Sequence, residues 1–372
     1  MRHLSVITRI VCCALLLFLL PISAFADDFW TWEEESDQTN SVQDDIPDYW
    51  MDALEKGAEE INQAMLEAGR NKSAFLFYSD SHWNYNSHKS PLLLKYLYNH
   101  TGMNKTIFGG DIVYNESTEY DAMAYLWEWR SMVKELPNHH SVVGNHDDGN
   151  ATNNLFGADY VYGYLLAAEE TPDMVWGEGE FYYYIDNPAE QTRYLYLDTA
   201  YQTILYDPQQ VQFLIDSLLT LPARWHVVVI AHIWYVPDYD QEVNPEVMLS
   251  YGGDLILSVL DDYNERKSGR VKISSKENPE ETIQVEYDFT RSAGKVEFCI
   301  GGHTHCDYDA FSSSGIPIIL VETDSYNVRS GLECEEFTTS ESSVNGIIAD
   351  YDAKKITVVR VGRGEGRIIP LP

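Results

Sequence analysis

Basic residues are scarce in this chain. Its 372 residues include 25 Lys and Arg against 59 Asp and Glu, which gives a formal net charge of −34 at pH 7. A surface of that sign repels nucleic acid and anionic lipid, so polyanion binding needs a local reversal of charge. A bound metal ion supplies such a reversal. The composition therefore predicts no nucleic-acid partner.

Cysteine is also scarce, with five in the whole chain. Cys12 and Cys13 lie in the apolar N-terminal segment, which leaves Cys299, Cys306 and Cys334. An odd number allows at most one disulfide beside one free thiol, so a fold built on disulfides is excluded. The sequence leaves open whether Cys306 and Cys334 pair.

No apolar run is long enough to span a membrane. The run at 10–20 is about half the ~20 residues that a membrane helix needs. Arg2 and Arg9 precede or flank it, and Ala24-Phe25-Ala26 follows, which is typical of a cleaved signal peptide. We therefore predict a signal peptide at 1–26 with cleavage after Ala26, a secreted or extracytoplasmic protein, and no stable membrane anchor after cleavage. An uncleaved anchor is the alternative.

The chain also lacks internal repeats and Pro- or Ser-rich hinges after residue 73. Residues 27–72 are predicted to be an acidic spacer followed by an amphipathic helix that packs on the main domain. The helix is indicated by apolar residues spaced three and four apart. These are Met51, Leu54, Ala58, Ile61 and Met65. Residues 73–372 are predicted to be a single domain.

What is present from residue 73 onward is an alternation of apolar runs and helical segments. Strands are predicted at 74–78, 106–108 and 141–143, with helices at 91–99 and 119–136 between them. Such a βαβαβ series predicts a parallel sheet. The pattern also indicates antiparallel strands at 181–185 and 194–197, a helix at 209–221, buried strands at 225–230 and 296–300, and a helix at 255–264 in a variable stretch. Strands at 318–321, 346–351 and 355–361 are expected to complete a second sheet.

Polar residues stand directly after five of these buried strands. In open α/β sheets ligands bind at that edge, because successive loops converge there. Glycines precede most of them and allow the backbone to approach an ion closely. The polar residues are Asp80, His82, Asp111, Asn145, His146, His232, His303 and His305.

The residue types favour a metal site. Carboxylates, imidazoles and an amide oxygen suit Zn²⁺, Fe or Mn²⁺, and no thiolate is in the set. His146 aside, the candidate ligands are too many for one tetrahedral ion and fit two ions that share a carboxylate.

The ordered motifs DSH, GGD, GNHD, AH and GGHTH resemble the calcineurin-like metallophosphoesterase superfamily over about residues 73–325. The resemblance implies a four-layer αββα sandwich of two mixed β-sheets and two divalent or trivalent metal ions (Mn, Fe or Zn). It assigns Asp80, His82 and His305 to the first ion, Asn145, His232 and His303 to the second, and Asp111 to both. In that pattern His146 is no ligand and faces the phosphate and the leaving group.

One departure concerns the subclass. Tyr114 follows Asp111 at the spacing found in purple acid phosphatases, where a tyrosinate binds iron, but those enzymes have Asp-x-Gly where this chain has Asp80-Ser81-His82. We therefore interpret Tyr114 as a packing residue or a support for the ligands.

Five other residues near the motifs have less specific interpretations. Asp147 is expected to orient His146 or to cap its loop. Asn86 and Trp234 are candidates for lining the substrate pocket, with a structural role as the alternative for each. His139 and His140 are expected to be a solvated start of the third strand.

The sequence thus predicts an exported dinuclear-metal phosphoesterase. It would hydrolyse a phosphomonoester or a small phosphodiester by attack of a metal-bridging hydroxide, with Asp111 and His146 as catalytic residues. A nucleotidase or cyclic-nucleotide-type phosphodiesterase is an alternative. A non-catalytic, metal-containing cell-surface binding protein is an alternative of another class, and His146 favours catalysis because it has no metal-holding role.

Overall fold

The computed structural model describes residues 46–83, 87–113, 118–147, 171–177, 181–199, 206–236, 253–274, 282–326 and 332–372. The predicted signal peptide with its cleavage after Ala26 lies outside the described residues, as do Asn86, Tyr114 and nearly all of the acidic spacer. Among the described residues, no helix combines the length and the apolar character that a membrane crossing requires.

The first sheet has six strands in the order β15-β14-β13-β1-β2-β3. Its three N-terminal strands are parallel, as the βαβαβ pattern predicts, and the three C-terminal strands are antiparallel. The strands are β1 (Lys72–Tyr78), β2 (Thr106–Phe108), β3 (His139–Ser141), β13 (Ser343–Asp350), β14 (Lys355–Gly362) and β15 (Arg367–Pro370).

The second sheet has seven strands in the order β11-β12-β10-β7-β6-β5-β4. Its four middle strands run parallel, and antiparallel pairs flank them. The strands are β4 (Met174–Trp176), β5 (Tyr183–Asn187), β6 (Thr192–Leu197), β7 (His226–Ala231), β10 (Lys295–Gly301), β11 (Tyr308–Phe311) and β12 (Pro317–Leu320). A separate hairpin of β8 (Ser268–Ser274) and β9 (Thr282–Asp288) lies in the stretch that the sequence pattern left as variable.

The sheet assignment of two strands predicted from the sequence is wrong. The segments 346–351 and 355–361 were expected in the second sheet, but β13 pairs with β1 from Lys72↔Asp350 to Phe77↔Asn345 in the first. Without β13, the β1 edge facing away from β2 would present unpaired N–H and C=O groups inside the molecule. The returning C-terminal hairpin satisfies that edge.

Within the described ranges, five helices cover the outer faces of the sheets. They are α1 (Asp48–Glu67), α2 (Ser90–His100) and α3 (Glu119–Val133) on the first sheet, and α4 (Pro208–Leu219) and α5 (Gly253–Asn264) on the second. Between the sheets, Phe75 of β1 stacks on Phe298 of β10 at 6.4 Å, whereas Phe108 of β2 faces Trp129 of α3 at 5.3 Å. The predicted four-layer αββα sandwich is confirmed.

Helix α1 packs on the first sheet through its apolar stripe. Gly57 lies against Val361, where an added Cβ would come within 2.3 Å of Cγ2, so helix and strand touch closely. At its N-terminal end the buried carboxylate of Glu341 accepts bonds from Tyr49 Oη (2.5 Å), Trp50 Nε1 (3.1 Å) and Lys89 Nζ (2.8 Å). This cluster joins the helix to two later parts of the chain.

The expectation that His139 and His140 are solvated is wrong. Both are buried in β3. His139 Nε2 lies 3.0 Å from Tyr78 Oη, and the His140 ring faces Tyr196 of the second sheet at 6.0 Å. The strand begins two residues earlier than predicted because aromatic neighbours on both faces bury the imidazoles.

Candidate metal centre

The polar residues singled out by the sequence lie past the carboxyl ends of five strands. Asp80 and His82 follow β1, Asp111 follows β2, and Asn145 and His146 follow β3. His232 follows β7, and His303 and His305 follow β10 in the second sheet. Within each sheet these strands are parallel, and the two sheets stack, so their loops meet at one edge of the sandwich.

A first group of ligand atoms comes from Asp80, His82, Asp111 and His305, and all four atoms lie within 4.8 Å of one another. His305 Nε2 is 3.4 Å from Asp80 Oδ1, and His82 Nε2 is 3.1 Å from His305 Nε2. His82 Nε2 is also 3.9 Å from Asp111 Oδ2. Carboxylate oxygens and imidazole nitrogens thus converge as they do around a cation.

A second group, also within 4.8 Å, comes from Asp111, His232 and His303. His232 Nε2 lies 3.0 Å from Asp111 Oδ2. Asn145 is buried at the end of the neighbouring loop. Asp111 belongs to both groups, which is the arrangement a shared carboxylate requires.

Orphaned buried atoms provide a test of whether metal ions fit here. Among the described residues, four of the candidate ligand atoms are buried and form no hydrogen bond of normal geometry, namely Asp111 Oδ2, Asn145 Oδ1, His232 Nε2 and His303 Nε2. His232 Nε2 and Asp111 Oδ2 approach to 3.0 Å without the alignment that a hydrogen bond requires. Buried polar atoms are ordinarily satisfied, because leaving one unpaired costs about 1–3 kcal/mol. Four in one place are explained if cations take their lone pairs. The residues fit a two-ion centre.

In two of the candidate ligand histidines, the ring nitrogen that faces away from the centre, Nδ1, is hydrogen-bonded to a backbone carbonyl oxygen. His232 Nδ1 donates to Gly109 O at 2.7 Å, and His82 Nδ1 donates to Val113 O at 3.3 Å. A carbonyl only accepts, so the proton sits on Nδ1 and the lone pair of Nε2 points into the centre. Both rings are held in the tautomer that a metal ligand needs.

Backbone strain is concentrated at the centre. Eleven described non-glycine residues have left-handed φ, and five of them are candidate ligands. These are Asp80 (56°), His82 (38°), Asp111 (64°), His303 (68°) and His305 (56°). Such a conformation costs roughly 1–2 kcal/mol per residue. The loops after the strands are therefore held in shapes that the local sequence alone does not prefer.

Two glycines make room for the carboxylates. A Cβ on Gly144 would lie 2.1 Å from Asp111 Oδ1, and one on Gly302 would lie 2.1 Å from Asp80 Oδ2. Neither distance is compatible with a side chain. These glycines let the carboxylates pack directly against neighbouring backbone.

The Asp147 carboxylate joins two ligand loops. It accepts backbone N–H bonds from Asp111 (2.9 Å), Ile112 (2.7 Å), Val113 (3.1 Å) and Gly144 (2.8 Å). Burial and the nearby Asp111 carboxylate raise the pKa of Asp147 to about 7, while the N–H donors lower it. Of the two roles expected for it, capping the loop is the one its contacts show.

A loop after β12 that the sequence reasoning missed holds the first ligand loop from the other side. Thr323 Oγ1 donates to Asp80 O (2.8 Å), Asp324 N donates to Ser79 O (2.9 Å), and Ser81 Oγ donates to Asp324 Oδ2 (2.8 Å). Arg363 in turn donates to Thr323 O at 2.6 Å and Ser325 O at 3.0 Å. The available signal was a run of polar residues directly after a predicted strand.

His146 lies beside the ligands. Its backbone N–H donates to Asp111 Oδ1 at 2.9 Å, and its Nε2 is 3.8 Å from Asp111 Oδ2. Its ring meets His82 edge-on at 4.9 Å, and its side chain keeps 12% exposure. Trp234, by contrast, is buried and donates from Nε1 to Ile300 O at 3.0 Å, which places it in the core of the second sheet.

The protonation of the centre follows from burial and mutual charge. Burial alone would raise the pKa of Asp80 and Asp111, but the surrounding histidines, His232 first, lower both. Burial lowers the pKa of His82 and of His303 to about 3. Against its own burial, the Asp111 and Asp80 carboxylates raise the pKa of His232 to about 9, and a cation bound between them would displace the proton from Nε2. The carboxylates are thus ionised and offer negative charge to a cation.

Cys299, Cys306 and Cys334 are thiols, and no disulfide joins them. None of the three belongs to either group of ligand atoms. The described centre is thus built from oxygen and nitrogen ligands, as the sequence predicts.

Comparison with known proteins identifies the fold. No protein-family model matches the sequence, and no curated protein matches it. Among solved structures, a dimetal phosphatase from Danio rerio superposes with a TM-score of 0.53 at 14% identity, covering 80% of this chain and 99% of that one. A purple acid phosphatase from yellow lupin (Lupinus luteus) seeds gives 0.45 at 11% identity, covering 82% of this chain and 53% of that one. The chain therefore shares the fold of the first of these structures, the dimetal phosphatase.

Proposed function

We propose that this protein hydrolyses a phosphomonoester or a small phosphodiester with two metal ions. The observation that carries the proposal is the pair of ligand groups that share Asp111, with four buried ligand atoms that have no hydrogen-bond partner. The shared fold with a dimetal phosphatase supports it.

Each ion would have its own set of side chains. Asp80, His82 and His305 would hold one, and Asn145, His232 and His303 the other, with Asp111 contributing to both. When bound, two such ions activate a water for attack and neutralise charge on the phosphoryl group. Mn, Fe and Zn all suit this donor set.

The chain itself supplies positioning and proton transfer. Asp147 and the Thr323 loop hold the ligand loops in their left-handed shapes, so the donor atoms stay in place during the reaction. We assign to His146 the role of general acid, which donates a proton from Nε2 to the leaving-group oxygen. Such a role is typically worth 10²–10⁴-fold in rate. Its partly exposed ring beside the ligand groups makes it the candidate for that step.

Substrate size follows from charge. The protein as a whole is strongly acidic, with a formal net charge of −34. A long polyanion would meet that field along its length, whereas a small phosphate ester presents its charge only to the cations. We therefore propose a small phosphorylated substrate.

The first experiment is metal analysis of the purified protein together with hydrolysis assays. We expect about two ions per chain and turnover that a chelator abolishes and Mn²⁺, Fe²⁺ or Zn²⁺ restores. p-Nitrophenyl phosphate and its bis ester separate monoesterase from diesterase activity, and nucleoside monophosphates and cyclic nucleotides test the nucleotidase and cyclic-nucleotide alternatives. Metal-loaded protein without turnover on any of these would favour the non-catalytic binding protein, and metal-free protein would contradict the whole proposal.

Export is a separate part of the proposal and rests on residues 1–26. We expect N-terminal sequencing of the protein recovered outside the cytoplasm to begin at Asp27. Recovery of the full chain in the cytoplasm would overturn export without touching the chemistry.

A further inference from the structure

A second hollow lies at the opposite edge of the sandwich from the metal centre. It has a volume of about 650 Å³ and opens at the amino ends of β1, β6, β7 and β10, with Arg70, Arg224 and Arg266 in its wall. We call it the arginine hollow. β7 is six residues long, so at about 3.3 Å per residue the two edges are roughly 20 Å apart. A ligand here would not touch the metal ligands.

Two of the three arginines have no counter-ion among the described residues. Within the part of the chain that the structure describes, Arg70 and Arg224 are exposed and make no side-chain hydrogen bond or ion pair. Arg266 donates to the carbonyl oxygens of Tyr263 (2.6 Å) and Gly294, which are dipoles and not anions. Its positive charge therefore also lacks a carboxylate partner.

The carboxylates in the same wall are already committed elsewhere. Glu297 Oε1 lies 2.7 Å from His226 Nδ1, and its Oε2 accepts from Lys295 Nζ at 3.0 Å. Glu190 accepts from Lys105 Nζ at 3.2 Å and from Tyr194 Oη. The negative groups are thus matched by their own donors, which leaves the guanidinium groups as surplus charge.

That surplus is unexpected for this composition. Acidic residues outnumber basic ones by 59 to 25, so an arginine placed without constraint would readily find a carboxylate.

Backbone strain points to the same hollow. Of the eleven described left-handed residues, five are at the metal centre and three line the arginine hollow: Gln191 (52°), Arg224 (66°) and Arg266 (59°). Backbone strain of this kind clusters at ligand sites.

We propose that the arginine hollow binds a small polyanion with two or more adjacent phosphate or carboxylate groups. Guanidinium groups bind such groups through forked, charge-assisted hydrogen bonds. The volume lies within the range of small-molecule sites, about 300–1,000 Å³. Trp225 in the same wall offers an apolar face for the carbon skeleton of the ligand.

Titration calorimetry on the metal-loaded protein tests this, with pyrophosphate for the phosphate class and citrate for the carboxylate class. Because both probes chelate, the metal content is measured before and after each titration. We expect saturable binding of at least one probe. In the double variant Arg70→Ala/Arg224→Ala the affinity should fall by at least about tenfold, since two charge-assisted contacts are lost.

Two further variants sharpen the result. Arg270→Ala removes an exposed arginine on β8, away from the hollow, and should bind like the wild type. Arg70→Lys/Arg224→Lys keeps the charge but loses the fork, so its affinity should lie between wild type and the alanine variant. The proposal is overturned if neither probe binds the wild type, or if the alanine variant binds as tightly as the wild type does. Binding that disappears with the metals but survives in the alanine variant belongs to the metal centre and equally overturns it.

Discussion

The metal centre and the arginine hollow lie at opposite edges of the same parallel strands, and both contain left-handed residues. The centre is buried and acidic, and four of its described ligand atoms have no hydrogen-bond partner because they face one another. The arginine hollow is open and basic, and its described guanidinium groups have no carboxylate partner because the carboxylates in its wall are bound to other donors. Strain thus marks both places, while residue type decides the chemistry: one edge suits cations and the other suits anions.

The largest effect is expected from Asp111→Asn. Asp111 contributes to both ligand groups, so an amide in its place would remove a negatively charged ligand from both ions at once. We expect kcat/KM to fall by at least about 10³-fold and the metal content to drop. Asp309→Asn, a partly exposed carboxylate paired with Arg367, is the matched control and should retain both. If Asp111→Asn kept full metal and activity, the centre would not be where we place it.

His146→Ala separates catalysis from metal binding within the centre. We expect kcat to fall by about 10²-fold or more because the proton donor is lost, while the metal content stays unchanged. His100→Ala on α2, an exposed histidine, serves as the control. Turnover within threefold of wild type with full metal would refute the assigned role.

Gly302→Ala tests how tightly the strained loops are packed. Its Cβ would come within 2.0 Å of Ser79 Oγ and 2.1 Å of Asp80 Oδ2, so the loop must shift. We expect a loss of roughly 1–3 kcal/mol in the free energy of unfolding and weaker metal binding, measured by denaturation and by chelator competition. At Gly102 the nearest atom to an added Cβ is 3.6 Å away, so Gly102→Ala should be tolerated.

The smallest effect on catalysis should come from substitutions in the arginine hollow. Arg70→Ala/Arg224→Ala is expected to leave kcat/KM and metal content within about twofold of wild type, because exposed side chains roughly 20 Å away contribute little to a buried centre. Steady-state kinetics without added polyanion measures this. A large loss of activity would show that the two edges are coupled.

Much of the fold and of the centre was predictable because the signals are local. Apolar runs ending in polar residues located β1, β2, β7 and β10 within a few residues, and thereby the positions of Asp80, Asp111, His232 and His303. The partners of a strand are not local. The sheet of β13 and β14 was assigned wrongly because the alternation of a strand says nothing about which edge it pairs with.

The residues that the sequence did not reveal are those whose role depends on distant contacts. Thr323 and Arg363 support Asp80 from the far end of the chain, and the polar run that contains Thr323 does not indicate which loop it contacts. The arginine hollow is assembled from isolated residues at the starts of separate strands and at a helix end. His139 and His140 looked solvated because the aromatic rings that bury them lie elsewhere in the sequence.

The Glu341 cluster has a practical consequence for making shortened versions of the protein. A chain trimmed to residue 73, where the catalytic domain was predicted to start, would lose Tyr49 and Trp50 and leave the Glu341 carboxylate inside with Lys89 as its remaining side-chain donor. It would also uncover the apolar face of the first sheet around Val361. Expression trials that retain residues from 46 onward should therefore give soluble material where the shorter ones aggregate.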